Sequence, residues 1–194
     1  MAGRPRTVDD ARILRAVVDV MGRTGPAGLT LAAVAREVGL APATLVQRFG
    51  SKRGMLLALA EHGVREAAGA VRRITAAHAS PLAALDALFT EAAAPLADPE
   101  AYAHHLAFLC ADLTDPEFLA LARAVQGAEA AAVRELLGAA ERAGELAPGA
   151  DPEVVRAAVT GAGLLWAVDR AGTLAARRRA ALDAVLAPYR KAAP

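Results

Sequence analysis

Four polar side chains that suit hydrogen bonding to nucleic acid lie between residues 44 and 52, namely Thr44, Gln47, Arg48 and Lys52. A glutamine amide or an arginine guanidinium can make paired hydrogen bonds to base edges in the major groove of DNA, or hold a phosphate. A threonine hydroxyl or a lysine ammonium group suits a backbone phosphate. The same residue types also occur on solvated helix ends, so the elements that carry them must decide between the two interpretations.

The segment from Leu31 to Phe49 has the pattern of two short helices joined by a tight turn. Thr30 can cap the first helix, and Gly39, which ends it, supplies the positive φ that a sharp turn requires. Pro42 suits the first turn of the second helix. Apolar residues occupy the positions at which two crossed helices bury a shared face, namely Val34, Val38, Leu40 and Leu45. The pattern predicts a helix-turn-helix with residues 44–48 on its second helix.

Lys52 stands at the start of a further predicted helix, directly after Gly50 and Ser51. A cation is unfavourable at a helix N-terminus because it opposes the helix dipole. A DNA phosphate at that position would remove the conflict, since helix N-termini and lysine both attract phosphate. The alternative is an exposed lysine with no particular role.

Charge is distributed unevenly along the 194 residues, although the net charge is only +1. Residues 1–53 carry nine basic and four acidic side chains, and the remainder carries 13 basic and 17 acidic ones. A basic N-terminal segment on an acidic body is typical of a module that binds a polyanion.

The rest of the chain carries helix signals almost throughout. A capping residue followed by proline marks four helix starts, at Ser80-Pro81, Asp98-Pro99, Asp115-Pro116 and Asp151-Pro152. Aromatic residues make up only 4% of the chain, and alternating β-branched runs do not occur. We therefore predict an all-α fold of about nine helices, with a helix-turn-helix domain over residues 1–57 and a larger helical domain over residues 58–194.

Short motifs in the first 57 residues resemble the N-terminal signature of the tetracycline-repressor (TetR) family. They are Arg12-Ile13-Leu14, Gly28-Leu29-Thr30, Val34-Ala35, Val38-Gly39-Leu40, Thr44-Leu45, Phe49 and Ser51-Lys52. The resemblance implies a homodimer whose paired recognition helices enter successive major grooves of a near-palindromic double-stranded DNA operator. It also implies that the larger domain binds a small effector that releases the DNA.

The resemblance assigns roles to individual positions. Thr44 resembles the family's DNA-contacting threonine, Lys52 its phosphate-contacting lysine, and Thr30 a residue that anchors the DNA backbone. Pro42 and Ala43 occupy the start of the recognition helix, where the family places base contacts. Their side chains cannot hydrogen-bond, so we expect apolar contacts there, for example with a thymine methyl group.

Two positions depart from the family pattern, because Val46 replaces a common tyrosine and Ala41 a common serine. Both replacements remove phosphate hydrogen bonds, and we expect nearby arginines, including Arg53, to compensate. The predicted DNA-binding residues are Arg4, Arg6, Thr30, Pro42, Ala43, Thr44, Val46, Gln47, Arg48 and Lys52.

The larger domain contains no recognisable catalytic arrangement. His104, His105 and Asp112 have poor spacing for a metal site, so we predict neither a metal nor a cofactor. The bulky candidates for lining a pocket for a hydrophobic effector are Phe89, Tyr102, His105, Phe108, Phe118 and Trp166, each of which could equally be a core residue.

A helix from Pro152 to Asp169 is apolar around most of its circumference, which predicts burial on two sides. One side would face the subunit core and the other a second subunit across a two-fold axis. The predicted dimer-interface residues are Val155, Ala158, Ala162, Leu165, Leu182 and Val185.

The mean hydropathy of +0.31 is high, but the longest apolar run, 157–168, is shorter than the ~20 residues that span a bilayer. We therefore expect a soluble cytoplasmic protein without a membrane partner. The favoured function is a ligand-responsive transcriptional repressor. The alternatives are a helical-bundle carrier of hydrophobic ligands, a helical enzyme whose basic N-terminus is incidental, and an activator or architectural DNA-binding protein.

Overall fold

A computed structural model describes residues 8–91, 96 and 98–190. The described part of the chain forms nine α-helices, followed by a short 3-10 turn at Ala187–Tyr189. The helices are α1 (Asp10–Gly28), α2 (Leu31–Val38), α3 (Pro42–Phe49), α4 (Lys52–Ala77), α5 (Pro81–Thr90), α6 (Pro99–Asp112), α7 (Pro116–Arg142), α8 (Pro152–Asp169) and α9 (Leu174–Leu186). The all-α prediction is confirmed.

Local capping chemistry sets most helix starts. All four predicted cap–proline sites accept a hydrogen bond from a backbone N–H in the first turn of the helix that follows, namely Ser80, Asp98, Asp115 and Asp151. Thr173 caps α9 in the same way. A cap of this kind stabilises a helix by about 1 kcal/mol relative to alanine. Proline at the first helical position adds a preset φ without the loss of a needed donor.

The first three helices form the predicted helix-turn-helix. α1 leaves helical geometry at Gly25, where φ is +63° and Pro26 follows. Gly39 adopts a φ of +70° between α2 and α3, and the fully buried Ala35 lies on the inner face of α2. The tight turn and the small buried side chain allow α2 and α3 to share a core with α1.

Two main apolar clusters hold the molecule together. The first joins α1, α2 and α3 to the start of α4, and includes the fully buried Ile13, Val34, Leu45 and Met55. Phe108 of α6 also packs into this first cluster. The second cluster joins α5, α7, α8 and α9.

α4 belongs to both parts of the molecule. Leu56 and Leu59 pack against the first cluster, whereas Val71 and Ile74 pack against the second. The predicted domain boundary at residues 57 and 58 falls inside α4. A movement of this helix would therefore shift side chains that pack against both clusters.

Candidate nucleic-acid interface and effector cavity

The recognition helix α3 presents a short exposed face. Leu45 is fully buried and anchors the helix to the core, whereas Pro42, Ala43 and Gln47 are exposed. Val46 is 49% exposed, which is unusual for a large apolar side chain. The face therefore combines one amide, which can read a base edge, with apolar groups that suit thymine methyl groups.

Two threonines flank this face. The Thr30 hydroxyl accepts a hydrogen bond from the Ala33 N–H at 3.0 Å and caps α2. Its own O–H remains a donor, so the capping role and a phosphate contact are compatible. Thr44 is half-buried on α3.

Arg48 is exposed but forms hydrogen bonds with other residues of the chain. Its guanidinium donates to the Val8 carbonyl oxygen at 2.6 Å and to Asp10 Oδ1 at 3.1 Å. These contacts fasten the end of α3 to the start of α1. Sequence reasoning could not identify them, because the partners lie about 40 positions away along the chain.

Lys52 also has a partner within the chain. Its Nζ donates to the Pro26 carbonyl oxygen at 2.7 Å, next to the bend in α1. This contact offsets the unfavourable position of the cation at the helix start, a solution that the sequence did not reveal. Ser51 caps the same helix by accepting from the Gly54 N–H at 3.0 Å.

Gly54 is required by the turn before α4. A Cβ atom at this position would lie 2.1 Å from the Phe49 carbonyl oxygen, which is far inside van der Waals contact. The close approach fixes the path between α3 and α4. The predicted arm residues Arg4 and Arg6 lie outside the described residues.

An ion-pair cluster joins the start of α4 to the start of α7. The Arg53 guanidinium donates to Asp115 at 2.8 Å and to Glu117 at 2.9 Å. It also lies over the Phe118 ring, 5.5 Å from the ring centroid. Hydrogen bonding from Arg53 is the main cause that lowers the pKa of Asp115. The sequence marked Asp115 as a helix cap but gave no signal of its partner on α4.

A second contact crosses between α1 and α6. His104 Nδ1 lies 2.8 Å from the Gly22 carbonyl oxygen. A Cβ atom at Gly25 would lie 2.9 Å from the His104 ring. α6 is therefore packed directly against the helix that supports the recognition helix.

A cavity of about 430 Å³ lies where α1, α4, α6 and α7 meet. Of the six predicted pocket residues, the structure brings His105, Phe108 and Phe118 together at its wall. The remaining wall is formed largely by aliphatic side chains of α4 and α7 that sequence reasoning did not select, including Leu56, Leu59, Leu119, Ala122 and Val125. Their spacing on α7 is helical, but many apolar residues of this chain have such spacing.

The other three predicted pocket residues lie away from this cavity. Phe89 packs in the second cluster. Tyr102 and Trp166 form an edge-to-face pair, with ring centroids 5.9 Å apart, in a small separate cluster with Leu174. These residues were predicted to line a pocket because they are large and apolar. In the structure, their helices are oriented so that the side chains point into the core.

Among the described residues, His105 and Arg123 are the titratable groups that line the cavity. Desolvation by its surroundings lowers the pKa of the imidazole below its ordinary value. The ring is accessible from the cavity and is neutral near pH 7, because both the ordinary and the lowered pKa lie below that pH. The neutral ring can therefore donate a hydrogen bond to a ligand or accept one from it without adding a positive charge to the cavity.

α8 has an apolar face that the single chain leaves open. Val154, Leu164, Leu165 and Val168 are 52–76% exposed. Of the six predicted interface residues, Val155, Ala162 and Leu182 are buried inside the subunit. Leu165 is 63% exposed, and Ala158 and Val185 are half-buried. Packing against α9 thus decides which side of α8 faces inward.

The described residues contain no group of three or more histidine, cysteine or acidic side chains that could hold a metal ion. Within the same residues, no helix is both long and apolar enough to cross a membrane. The described features with clear recognition chemistry are thus the α3 face, the cavity and the open face of α8.

Comparisons with known proteins agree with this arrangement. Residues 13–59 match the family model described as bacterial regulatory proteins, tetR family. No curated protein sequence matches the chain.

Solved structures match over nearly the whole length. A TetR transcriptional regulator from Streptomyces coelicolor is 23% identical, with a TM-score of 0.71 over 95% of this chain and 100% of that one. The ketosteroid regulator KstR2 of Mycobacterium tuberculosis is 18% identical, with a TM-score of 0.65 over 98% and 99%. The regulator FadR from Bacillus subtilis, solved in complex with stearoyl-CoA, is 19% identical, with a TM-score of 0.66 over 92% and 98%. Residues 13–59 thus match the family model of tetR bacterial regulatory proteins, and the chain as a whole shares the fold of these solved structures.

Proposed function

We propose that this protein is a homodimeric transcriptional repressor that a small apolar effector releases from its DNA operator. The observation that carries the proposal is the exposed face of α3 on a rigid helix-turn-helix within the segment that matches the family model. A recognition helix of this kind is wide enough to fill the major groove of B-DNA, with its N-terminal residues at the base edges.

One polar and three apolar side chains would contact the base edges in the major groove. Gln47 makes the paired hydrogen bonds that suit adenine, and Pro42, Ala43 and Val46 contact thymine methyl groups. Arg48 supports the helix rather than reading a base, because its guanidinium already bonds to Val8 and Asp10.

Phosphate contacts fix the position of the domain on DNA. Thr30, Thr44 and Lys52 supply hydroxyl and ammonium donors around the recognition helix, and Arg4 and Arg6 supply charge ahead of α1. Lys52 reaches a phosphate by exchanging its bond to the Pro26 carbonyl for one to the DNA. Such contacts make the affinity strongly dependent on salt.

Dimerisation uses the open face of α8. Exposed apolar patches of this kind mark interaction surfaces, and a second copy related by a two-fold axis would cover the same face on both subunits. The adjoining groove between α8 and α9 is lined by small side chains, including Ala157, Ala158, Gly161 and Ala180, so helices can approach closely there. Residues 1–57 would then serve DNA binding and 58–194 dimerisation and ligand binding.

The cavity is placed to influence DNA binding. Met21 and Leu56, which lie at its wall, belong to or pack against the core of the helix-turn-helix. Phe118, also at the wall, lies against Arg53 beside the start of α4. A ligand that displaces Phe118 would disturb the ion pairs of Arg53 and thereby change the position of α4 under the recognition helix. The stearoyl-CoA complex of FadR is a precedent for a ligand with a long acyl chain on this fold.

Selection of bound duplexes from a random DNA pool tests the proposal. We expect enrichment of a near-palindromic site, since a two-fold dimer presents the same recognition helix twice. Gln47→Ala should change the preferred bases, whereas Lys52→Ala should weaken all duplexes about equally and reduce the salt slope by about one phosphate contact.

A ligand carrier or an enzyme with an incidental basic N-terminus would enrich no sequence, and that outcome would refute the proposal. Identical base preferences in wild type and Gln47→Ala would refute the assigned role of Gln47. An activator would bind the same DNA, so transcription from a reporter carrying the selected site distinguishes it from a repressor.

A further inference from the structure

The cavity between α4, α6 and α7 has basic and neutral polar side chains but no acidic one among its described lining residues. Among the described residues that line it, all are apolar except His105, Arg123 and Gln126. No carboxylate belongs to this described lining. The electrostatic character of the cavity is therefore set by one guanidinium, one amide and one imidazole.

Arg123 is the cation of the cavity. It forms no ion pair or hydrogen bond with the other described residues. Arg53, at the other end of the cavity region, is by contrast occupied by both Asp115 and Glu117. Arg123 is solvent-exposed at the edge of the apolar cavity. A guanidinium without a carboxylate partner there favours an anionic ligand, because it can make a charged hydrogen bond to it.

Gln126 offers a donor to the same ligand. Its Oε1 accepts a hydrogen bond from the Arg156 guanidinium at 2.6 Å. Arg156 is itself held by Glu153 at 2.8 Å and Glu129 at 3.4 Å. The amide oxygen is thus already used, and the Nε2 group remains to donate.

His105 does not compete with Arg123 as the anchoring charge. Its lowered pKa keeps the imidazole neutral near pH 7. It contributes a hydrogen bond at most, so the positive charge of the described lining comes from Arg123.

The polar lining residues of α7, Arg123 and Gln126, lie among the apolar lining residues Leu121, Ala122 and Val125. Arg123 and Gln126 are three residues apart and therefore lie on the same side of the helix. Phe118 lies five residues before Arg123, about 7.5 Å along the helix axis, next to Arg53 at the junction with α4. A ligand whose polar end binds Arg123 and Gln126 would have its apolar end towards Phe118 and the helix-turn-helix.

We propose that the effector is an amphipathic anion, an apolar chain or ring system with one carboxylate that binds Arg123 and Gln126. This inference rests on the proposed function, because it names the chemical class of the effector in the same cavity. A cationic amphipath would meet Arg123 without a compensating carboxylate in the described lining. A neutral one would forgo the charged hydrogen bond.

Calorimetric titration of the full chain with three matched probes tests the ligand class. The probes are dodecanoate, dodecan-1-ol and dodecylammonium, each kept below its micelle-forming concentration at about pH 7.5, where the carboxylate is ionised. We expect dodecanoate to bind at least about 10-fold more tightly than the alcohol, as a charged hydrogen bond implies, and the ammonium probe to bind most weakly.

Substitutions on α7 assign the effect to Arg123. Arg123→Gln should remove the preference for dodecanoate over dodecan-1-ol, and Arg123→Lys should retain most of it. Arg134→Gln is the matched control, because Arg134 is exposed on the same helix but does not line the cavity. The Arg134→Gln variant should prefer dodecanoate over dodecan-1-ol as strongly as the wild type does.

Equal affinity for the alcohol and the carboxylate in wild type would overturn the inference, as would an unchanged preference in Arg123→Gln. Failure of all three probes to bind would overturn it as well. DNA binding is measured separately by duplex selection. The proposed ligand class can therefore be refuted while sequence-selective DNA binding is still observed. Absence of sequence-selective DNA binding would instead refute the proposed function.

Discussion

Arg48 and Lys52, both predicted from the sequence to contact DNA, form hydrogen bonds within the protein. Both side chains donate to backbone carbonyl oxygens of the α1 region, at 2.6 Å from Val8 and 2.7 Å from Pro26. Each bond contributes about 1 kcal/mol to stability at most, since both sites are exposed. The bonds of Arg48 join α3 to the start of α1, so we expect its main effect to be geometric, whereas the single bond of Lys52 can be exchanged for one to a phosphate.

Arg48→Ala should therefore weaken binding to all duplexes by a similar factor without changing the preferred bases. The physical reason is that α3 loses its attachment to Val8 and Asp10 while Gln47 and the apolar face remain. Duplex selection followed by affinity measurement on the best and mismatched sites checks this. A change of preferred base at one position in Arg48→Ala would show that the guanidinium reads DNA directly.

At the scale of helices, the ion-pair link between α4 and α7 connects the cavity wall to the N-terminal domain. Arg53 reaches Asp115, Glu117 and the Phe118 ring from the first turn of α4. Phe118 in turn lines the cavity. These contacts join the cavity wall to the helix that follows the recognition helix.

Arg53→Ala should leave ligand binding in place but reduce the effect of the ligand on DNA affinity. Affinity for the selected duplex, measured with and without a bound ligand, checks this expectation. Arg65→Ala is the matched control, since Arg65 forms an exposed pair with Glu61 on the same helix. If Arg53→Ala responded to ligand as strongly as wild type, the coupling would run through other contacts.

The same substitution should raise the pKa of Asp115, because hydrogen bonding from Arg53 is the main cause of its lowered value. The pair stabilises the fold above the ordinary carboxyl pKa of about 3.9 and loses this contribution as pH falls through the lowered value. NMR titration of the Asp115 carboxyl group checks the direction. An unchanged pKa in Arg53→Ala would contradict the assigned cause.

α8 is the element that should carry dimerisation. Leu165→Arg should yield a monomer that keeps its helical content, because Leu165 is 63% exposed in the single chain and the charge would be buried only in the dimer. Sedimentation velocity and circular dichroism check the two parts of this prediction. Val46→Arg is the control, since Val46 is 49% exposed on α3 and should leave the dimer unchanged. A stable dimer of Leu165→Arg would exclude this face.

For the whole molecule, the sequence predicted what depends on neighbouring residues. Helix starts at caps such as Ser80 and Asp151 follow from local hydrogen bonds, and the turn at Gly39 follows from its positive φ. The helix-turn-helix was therefore predictable with its boundaries. The family motifs added roles that composition alone does not supply.

Contacts between distant segments were not predictable in the same way. The partners of Arg48, Lys52 and Arg53 lie 26–64 positions away, and no local pattern indicates them. Bulk and apolarity marked Trp166 for a pocket, although the packing of α8 buries it in the core. The rotation of each helix about its own axis is a tertiary property, and it decides between core, cavity and interface.

If the protein is a ligand-released repressor, occupancy of the cavity must lower its affinity for DNA. Fluorescence anisotropy of the selected duplex, with and without saturating dodecanoate or dodecan-1-ol, measures this effect. Calorimetry should first establish that a probe binds. We expect the bound probe to weaken DNA affinity by about 10-fold or more, within the usual range of coupling between sites. A probe that binds the protein but leaves DNA affinity unchanged would refute control of DNA binding by the cavity.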